Sequence, residues 1–269
     1  MLSVRNLNVS LGGTRIVTGI DLELGAGELV MLLGPNGAGK STFLKALSGE
    51  TQYHGSVLLS GCELTRWQPQ RLARRRAVMP QRVDVNFPLT VKEVVRLGRP
   101  RSAPVNDLVV LELLRALELE HLVNRMVPGL SGGEQQRLQL ARVLAQIVDC
   151  PGESLLLLDE CTSALDPAHQ QLVLELVRHL ARKRDMAVLA IVHDLNLAAQ
   201  FGDRLMLMES GRCVLDGRAE QVLTPANLKL VYGFHARIVH LPEGYPMVIP
   251  TGRVASQTAP SNPVCRQAS

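Results

Sequence analysis

Aromatic residues are scarce in this chain of 269 residues: four Phe, three Tyr and one Trp, 3% of positions. Stacking platforms for nucleic-acid bases depend on such side chains, so a base-reading surface is not expected. Charge of one sign is also missing. Lys and Arg number 29 against 25 Asp and Glu, a net +4, far short of a basic nucleic-acid footprint. The five cysteines (Cys62, Cys150, Cys161, Cys213 and Cys265) are odd in number and form no C-x-x-C pair. That argues against a disulfide framework or a zinc site and for reduced thiols in a cytosolic protein. The seven histidines show no metal-ligand spacing either. The longest apolar run, residues 186–192, falls well below the ~18–20 residues of a membrane-spanning helix. Residues 1–6 lack a basic region followed by an apolar one, so no secretory signal is expected. Any membrane role is therefore peripheral and runs through a partner.

What is present suits a globular α/β fold, with 46% hydrophobic and 20% charged residues. Val4, Leu7, Val9 and Leu11 precede Gly12-Gly13, and Ile16, Val17, Ile20, Leu22 and Leu24 follow, which reads as two strands around a turn. Residues 28–33 form a continuous apolar run, as a buried parallel strand does. Phe43, Leu44 and Leu47 then repeat at helical spacing, and residues 57–59 and 77–79 read as short strands. From about residue 90 to 147 the period is helical, which predicts a helical insertion in an otherwise β/α chain. Residues 155–158 and 187–192 read as buried strands, with a helix over 167–181 opened by Pro167. Residues 204–208 and 212–215 flank Gly211 as a hairpin. From about residue 241 the chain has little periodicity, so the tail 241–269 is expected to be loosely held.

Chemistry concentrates at the ends of the buried strands. Gly34-Pro35-Asn36-Gly37-Ala38-Gly39-Lys40-Ser41, followed by Thr42, fits G-x-x-x-x-G-K-[ST] between a predicted strand and a predicted helix. Its glycines let backbone N–H groups curl around a phosphate, and the helix start turns its positive dipole end on the same anion. Lys40 supplies charge to the outer phosphates, and Ser41 a hydroxyl for Mg²⁺. Asp159-Glu160 closes the strand at 155–158. Alone the pair reads as a solvated loop. Beside a phosphate loop, Asp159 is placed to hold Mg²⁺, directly or through water, and Glu160 to polarise the attacking water. The arginines at 71, 74, 75 and 76 read as a solvated helix face.

Leu130-Ser131-Gly132-Gly133-Glu134-Gln135-Gln136 lies between these two features and resembles the signature of the ATP-binding cassette (ABC) ATPases. Ser131, Gly132 and Gly133 would make a second phosphate clamp at a helix start. The resemblance extends over residues 2–232 and implies a P-loop cassette fold: a RecA-like core, an N-terminal antiparallel β subdomain and a helical signature subdomain. It places one ATPase domain over residues 1–240, with the helical part at about 90–147. It also implies ATP and Mg²⁺ as ligands and a head-to-tail homodimer, the signature of one copy closing on the ATP of the other.

Further positions match this family one by one. Gln81 resembles the glutamine that links Mg²⁺ and the attacking water to the helical subdomain, joining Ser41 and Asp159 in the metal set. Asp166, in Ser163-Ala164-Leu165-Asp166, resembles the loop that reaches across the dimer, and His193 the histidine that contacts the γ-phosphate. Two positions depart from the pattern. Leu11 stands where an aromatic usually stacks on adenine, and Cys161 where proline usually follows the catalytic glutamate. The first predicts loose base discrimination; the second predicts a thiol beside the γ-phosphate, with activity retained and sensitivity to oxidation.

The motifs around Ala141-Arg142-Val143, His169-Gln170 and His193-Asp194-Leu195-Asn196 are similar to those of haemin-importer ATPases, a group allied to the siderophore and cobalamin importers. That likeness implies a peripheral subunit on the cytoplasmic face of a bacterial inner membrane. Its expected partners are a two-copy transmembrane permease and, indirectly, a periplasmic substrate-binding protein. Val83, Val85, Phe87, Pro88 and Leu89 offer an apolar surface for the permease. Ferric siderophore or cobalamin cargo is the near alternative. A soluble, non-transport ABC ATPase is the distant one, since the chain has a single phosphate loop and no heptads.

Overall fold

The computed structural model describes residues 1–81, 88–100, 107–150 and 152–254. Alternating burial along the first residues builds β1 (Leu2–Leu11) and β2 (Thr14–Leu24). Gly12 and Gly13 turn the chain between them at φ 55° and 80°, values that cost glycine little because it has no Cβ. β3 (Leu29–Leu33) is buried at every position, and α1 (Lys40–Leu47) buries Phe43, Leu44 and Leu47. β4 (His54–Leu59) and β5 (Cys62–Glu63) complete an antiparallel sheet of order β2-β1-β4-β5.

After α2 (Pro69–Leu72), β6 (Arg76–Met79) enters a second sheet. The arginine run divides here and is not a single solvated face. Arg71 and Arg74 stay exposed, whereas Arg75 donates from Nη1 to the Glu153 carbonyl at 2.9 Å. Arg76 opens the strand with its Nε and Nη1 buried, because α2 stops at Leu72.

Helices α3 (Val91–Gly98), α4 (Asp107–Ala116) and α5 (Gly132–Ile147) form the expected insertion. Capping boxes start two of them, Thr90 with Glu93 and Ser131 with Glu134, which satisfies backbone N–H groups that a helix start leaves unpaired. The β/α alternation then resumes through β7 (Ser154–Asp159), α6 (Pro167–Lys183), β8 (Met186–Ile191), α7 (Leu195–Phe201) and β9 (Arg204–Glu209). β10 (Arg212–Gly217), α8 (Ala219–Val222), α9 (Pro225–Tyr232), β11 (Phe234–His240) and β12 (Pro246–Arg253) finish the described chain.

The central sheet has the order β10-β9-β3-β8-β7-β6, parallel except at β10. Both faces are covered, and for that reason its inner strands are apolar throughout. Leu29, Met31 and Leu33 pack with the side carrying α3 to α7; Val30 and Leu32 pack with β1, β2 and α1. Residues 246–253 form a paired strand where a loose tail was expected. β12 pairs with β11, and Val248 is 3% exposed. Pro246, Pro250 and Gly252 dilute the strand period, and α7, which packs on β12, is far away in sequence. Residues 255–269 lie outside the described chain.

Candidate active site

In the order β3-β8-β7-β6, the carboxyl ends of four parallel strands deliver the loop 34–42, His193, Asp159-Glu160 and Gln81. Strand spacing places all four within roughly 14 Å along one sheet edge. Register keeps them level, with Leu32 beside Ile191, Ile191 beside Asp159, and Met79 beside Leu158. Open α/β sheets bind ligands at this edge.

Each glycine of the loop answers a local demand. Gly34 has φ 145°, and a Cβ there would lie 2.2 Å from the Met208 carbonyl oxygen. Gly39 has φ 93°, and a Cβ would meet the Ile16 oxygen at 2.9 Å. Gly37, at φ 81°, faces open space, which leaves room for a phosphate at the backbone. Lys40 is 6% exposed, and its Nζ donates to the carbonyls of Gly34 at 2.7 Å and Pro35 at 2.9 Å. Burial pulls this ammonium below its usual pKa, with the charges of Glu160 and Asp159 opposing.

Ser41 Oγ donates to Asp159 Oδ1 at 3.3 Å. Asp159 is 4% exposed, and burial pushes its carboxyl above the usual aspartate range; the Ser41 hydrogen bond opposes this. A hydroxyl and a buried carboxylate converging beside a phosphate loop form an oxygen donor set that suits a hard dication. A cation there would also offset the cost of keeping Asp159 ionised.

Glu160 sits in the left-handed region at φ 57°, a conformation costing a non-glycine residue about 1–3 kcal/mol. Hydrogen bonds hold it there. Its N–H donates to the Ile191 carbonyl at 3.2 Å. Its own carbonyl accepts from Gln136 Nε2 at 2.7 Å, Ser163 Oγ at 3.1 Å and Ser163 N at 3.3 Å. The carboxylate meets His193 Nε2 at 2.6 Å and is hydrogen-bonded by the Gln81 side chain. Burial works to raise its pKa, but these bonds and the charges of His193 and Lys40 outweigh it, so Glu160 titrates below the usual glutamate range.

Ser131 and Gly132 are exposed at the start of α5. Ser131 Oγ accepts from Glu134 N at 3.3 Å, and Ser131 N donates to Glu134 Oε2 at 2.7 Å. Within the chain, these residues neighbour the 163–166 turn: a Cβ on Gly133 would lie 3.3 Å from the Ala164 oxygen. Asp166 caps α6 by accepting from His169 N at 3.0 Å and is itself exposed.

Leu11 is 48% exposed. Cys161 overturns its expectation, being 1% exposed in the main core, where burial pushes the thiol up to about 12. A thiol so disfavoured as thiolate is unreactive. Of the apolar surface residues, Val83, Val85 and Phe87 lie outside the described chain, while Pro88 is exposed and Leu89 packs on the core. Sequence reasoning missed Gln136 as a functional side chain. It was read only as part of the signature, yet its amide joins that helix to the Glu160 carbonyl and accepts from Ala164 N at 2.9 Å.

Comparison with known proteins agrees with this geometry. The ABC transporter family profile matches residues 17–163. Hemin import ATP-binding protein HmuV of Pseudomonas fluorescens is 48% identical, covering 93% of this chain and 99% of that protein. Its namesake from Vibrio cholerae is 42% identical over 91% of this chain and 96% of that one. Among solved structures, a metal-chelate type ABC transporter in an inward-facing conformation superposes with a TM-score of 0.75 at 27% identity, covering 93% of this chain and 97% of that one. An ATP-binding cassette solved as a dimer in a post-hydrolysis state with ADP and Pi gives 0.70 at 25% identity, covering 81% and 99%. These matches, with the strand-edge site and the capped signature helix, show that the chain belongs to the family of ABC transporter ATPases.

Proposed function

We propose that the chain is the ATP-hydrolysing subunit of a bacterial importer that takes up haemin through a separate membrane permease. The observation that carries the hydrolytic part is the convergence of Gln81, Glu160 and His193 beside Lys40 and Asp159. The cargo rests on relatives at 40–48% identity that are named for hemin import.

Residues 34–42 cradle the phosphates of ATP, with Lys40 neutralising the outer ones. Ser41 and Asp159, joined by Gln81, would hold Mg²⁺. The metal would supply charge neutralisation to the phosphates. Glu160, ionised at neutral pH, accepts a hydrogen bond from the attacking water and orients it toward the γ-phosphorus. His193 and Gln81 hold that carboxylate in place and limit its rotamers.

Ser131, Gly132, Gly133 and Asp166 act on the second ATP of a head-to-tail pair. The exposure of Ser131 and Gly132 at the start of a 16-residue helix supports this, because that helix end presents N–H donors and a positive dipole outward. The permease is a separate two-copy partner, and among the described residues of this chain no helix is long and apolar enough to cross a membrane. The subunit works at the cytoplasmic face of the inner membrane, and a periplasmic binding protein delivers cargo from the other side.

The test is growth of a deletion strain on haemin as sole iron source, complemented with wild type or Glu160→Gln. Rescue by wild type alone supports both parts. Normal growth of the deletion strain refutes the cargo and moves the metal-chelate alternatives, siderophore or cobalamin, ahead.

A further inference from the structure

The hairpin of β11 and β12 lies beyond residues 17–163 that the family profile covers, yet it touches the turn that carries His193.

The contact is made by Asn196, three residues after His193. Its Oδ1 accepts from Val248 N at 2.7 Å and its Nδ2 donates to Val248 O at 3.3 Å. One side chain therefore pairs with β12 as a neighbouring strand would. Asp194 Oδ1 caps the same turn through the N–H groups of Asn196 and Leu197, at 2.7 and 3.0 Å. The segment carrying His193 is consequently fixed at one end by Glu160 and at the other by the C-terminal hairpin.

We propose that Asn196 is a positioning residue, through which the C-terminal hairpin braces the ATP site: it sets the turn that presents His193. The proposal rests on the ATPase reading above and adds to it the part of the chain that the hydrolytic motifs leave without a role.

The experiment compares steady-state ATPase kinetics and unfolding midpoints of full-length Asn196→Ala, Asn196→Asp and wild type. Asn196→Ala frees the His193 turn, so kcat falls about tenfold while KM stays near wild type. Asn196→Asp keeps acceptance from Val248 N but not the donation, and gives an intermediate kcat should the alanine variant fold poorly. Wild-type constants in the Asn196 variants would overturn the proposal. So would a fall in kcat alone that matches the unfolded fraction in each. An inactive wild type, by contrast, sinks the ATPase reading, so the two failures are distinguishable.

Discussion

Glu160 is held in a conformation its own chemistry disfavours, and Gln136 supplies the shortest of the hydrogen bonds to its carbonyl, at 2.7 Å. Gln136→Ala removes that donor and also the acceptor for Ala164 N. At about 1 kcal/mol net for each hydrogen bond, roughly 2 kcal/mol of restraint is lost. This is comparable to the cost of the left-handed turn, about 1–3 kcal/mol. Carried wholly into the transition state, it corresponds to about thirtyfold in kcat. Ser163 still holds the carbonyl from Oγ and N, so the expected fall is about tenfold. KM for ATP stays unchanged, because the side-chain hydrogen bonds of Gln136 run to Glu160, Ser163 and Ala164, away from the phosphate loop. The assay is ATP turnover at saturating nucleotide, paired with urea denaturation of the same preparation. A kcat within twofold of wild type, with a lower denaturation midpoint, would refute the reasoning and leave Gln136 a purely structural residue.

Three other outcomes follow from the packing and titration of the site. Gly98→Ala places a Cβ 2.0 Å from the Arg142 carbonyl oxygen where α3 meets α5; it should cost about 2–3 kcal/mol, and a loss below 1 kcal/mol by denaturation would contradict it. Asp159 binds its proton more tightly folded than unfolded. Its contribution to stability is thus full below the ordinary value of 3.8 and is lost as pH climbs through the raised folded value. At neutral pH without metal, Asp159→Asn should therefore raise stability by about 1 kcal/mol while abolishing Mg²⁺-dependent turnover; a lower midpoint would count against it. Cys161, with its thiol near 12, exposes only about one part in 10⁴ as thiolate at pH 8. Mass spectrometry after maleimide treatment should find it unmodified in the native protein and modified after denaturation, and native labelling as fast as that of Cys62 would contradict its burial.

Much of the site was legible before any coordinates, since phosphate chemistry constrains short, contiguous stretches. The loop at 34–42 must have glycines where the backbone curls, a lysine and a hydroxyl, and the strand before it must be apolar because both sheet faces are covered. Asp159, Glu160 and His193 could be placed at strand ends by the same apolar runs. The order of the C-terminal hairpin is not legible in the sequence because Val248 is hydrogen-bonded by a residue 52 positions away, and a period interrupted by Pro246 and Pro250 carries no trace of that partner. Cys161 was misread in the same way, its neighbour in sequence being Glu160 and its neighbours in space a packed core.

The division has a physical basis. Local pattern, glycine placement and strand-end chemistry belong to residues adjacent in sequence, and they determined the β/α core, the helical insertion, the phosphate loop and the acidic pair. Closeness between distant segments depends on how the layers pack, and only the tertiary structure decided it: the left-handed Glu160 tied to Gln136, Gly98 pressed on Arg142 and Asn196 clasping Val248. Each joins groups whose separation in the chain leaves no periodic signal, and each is held by a hydrogen bond or a contact that exists only once the sheet and its helices are assembled.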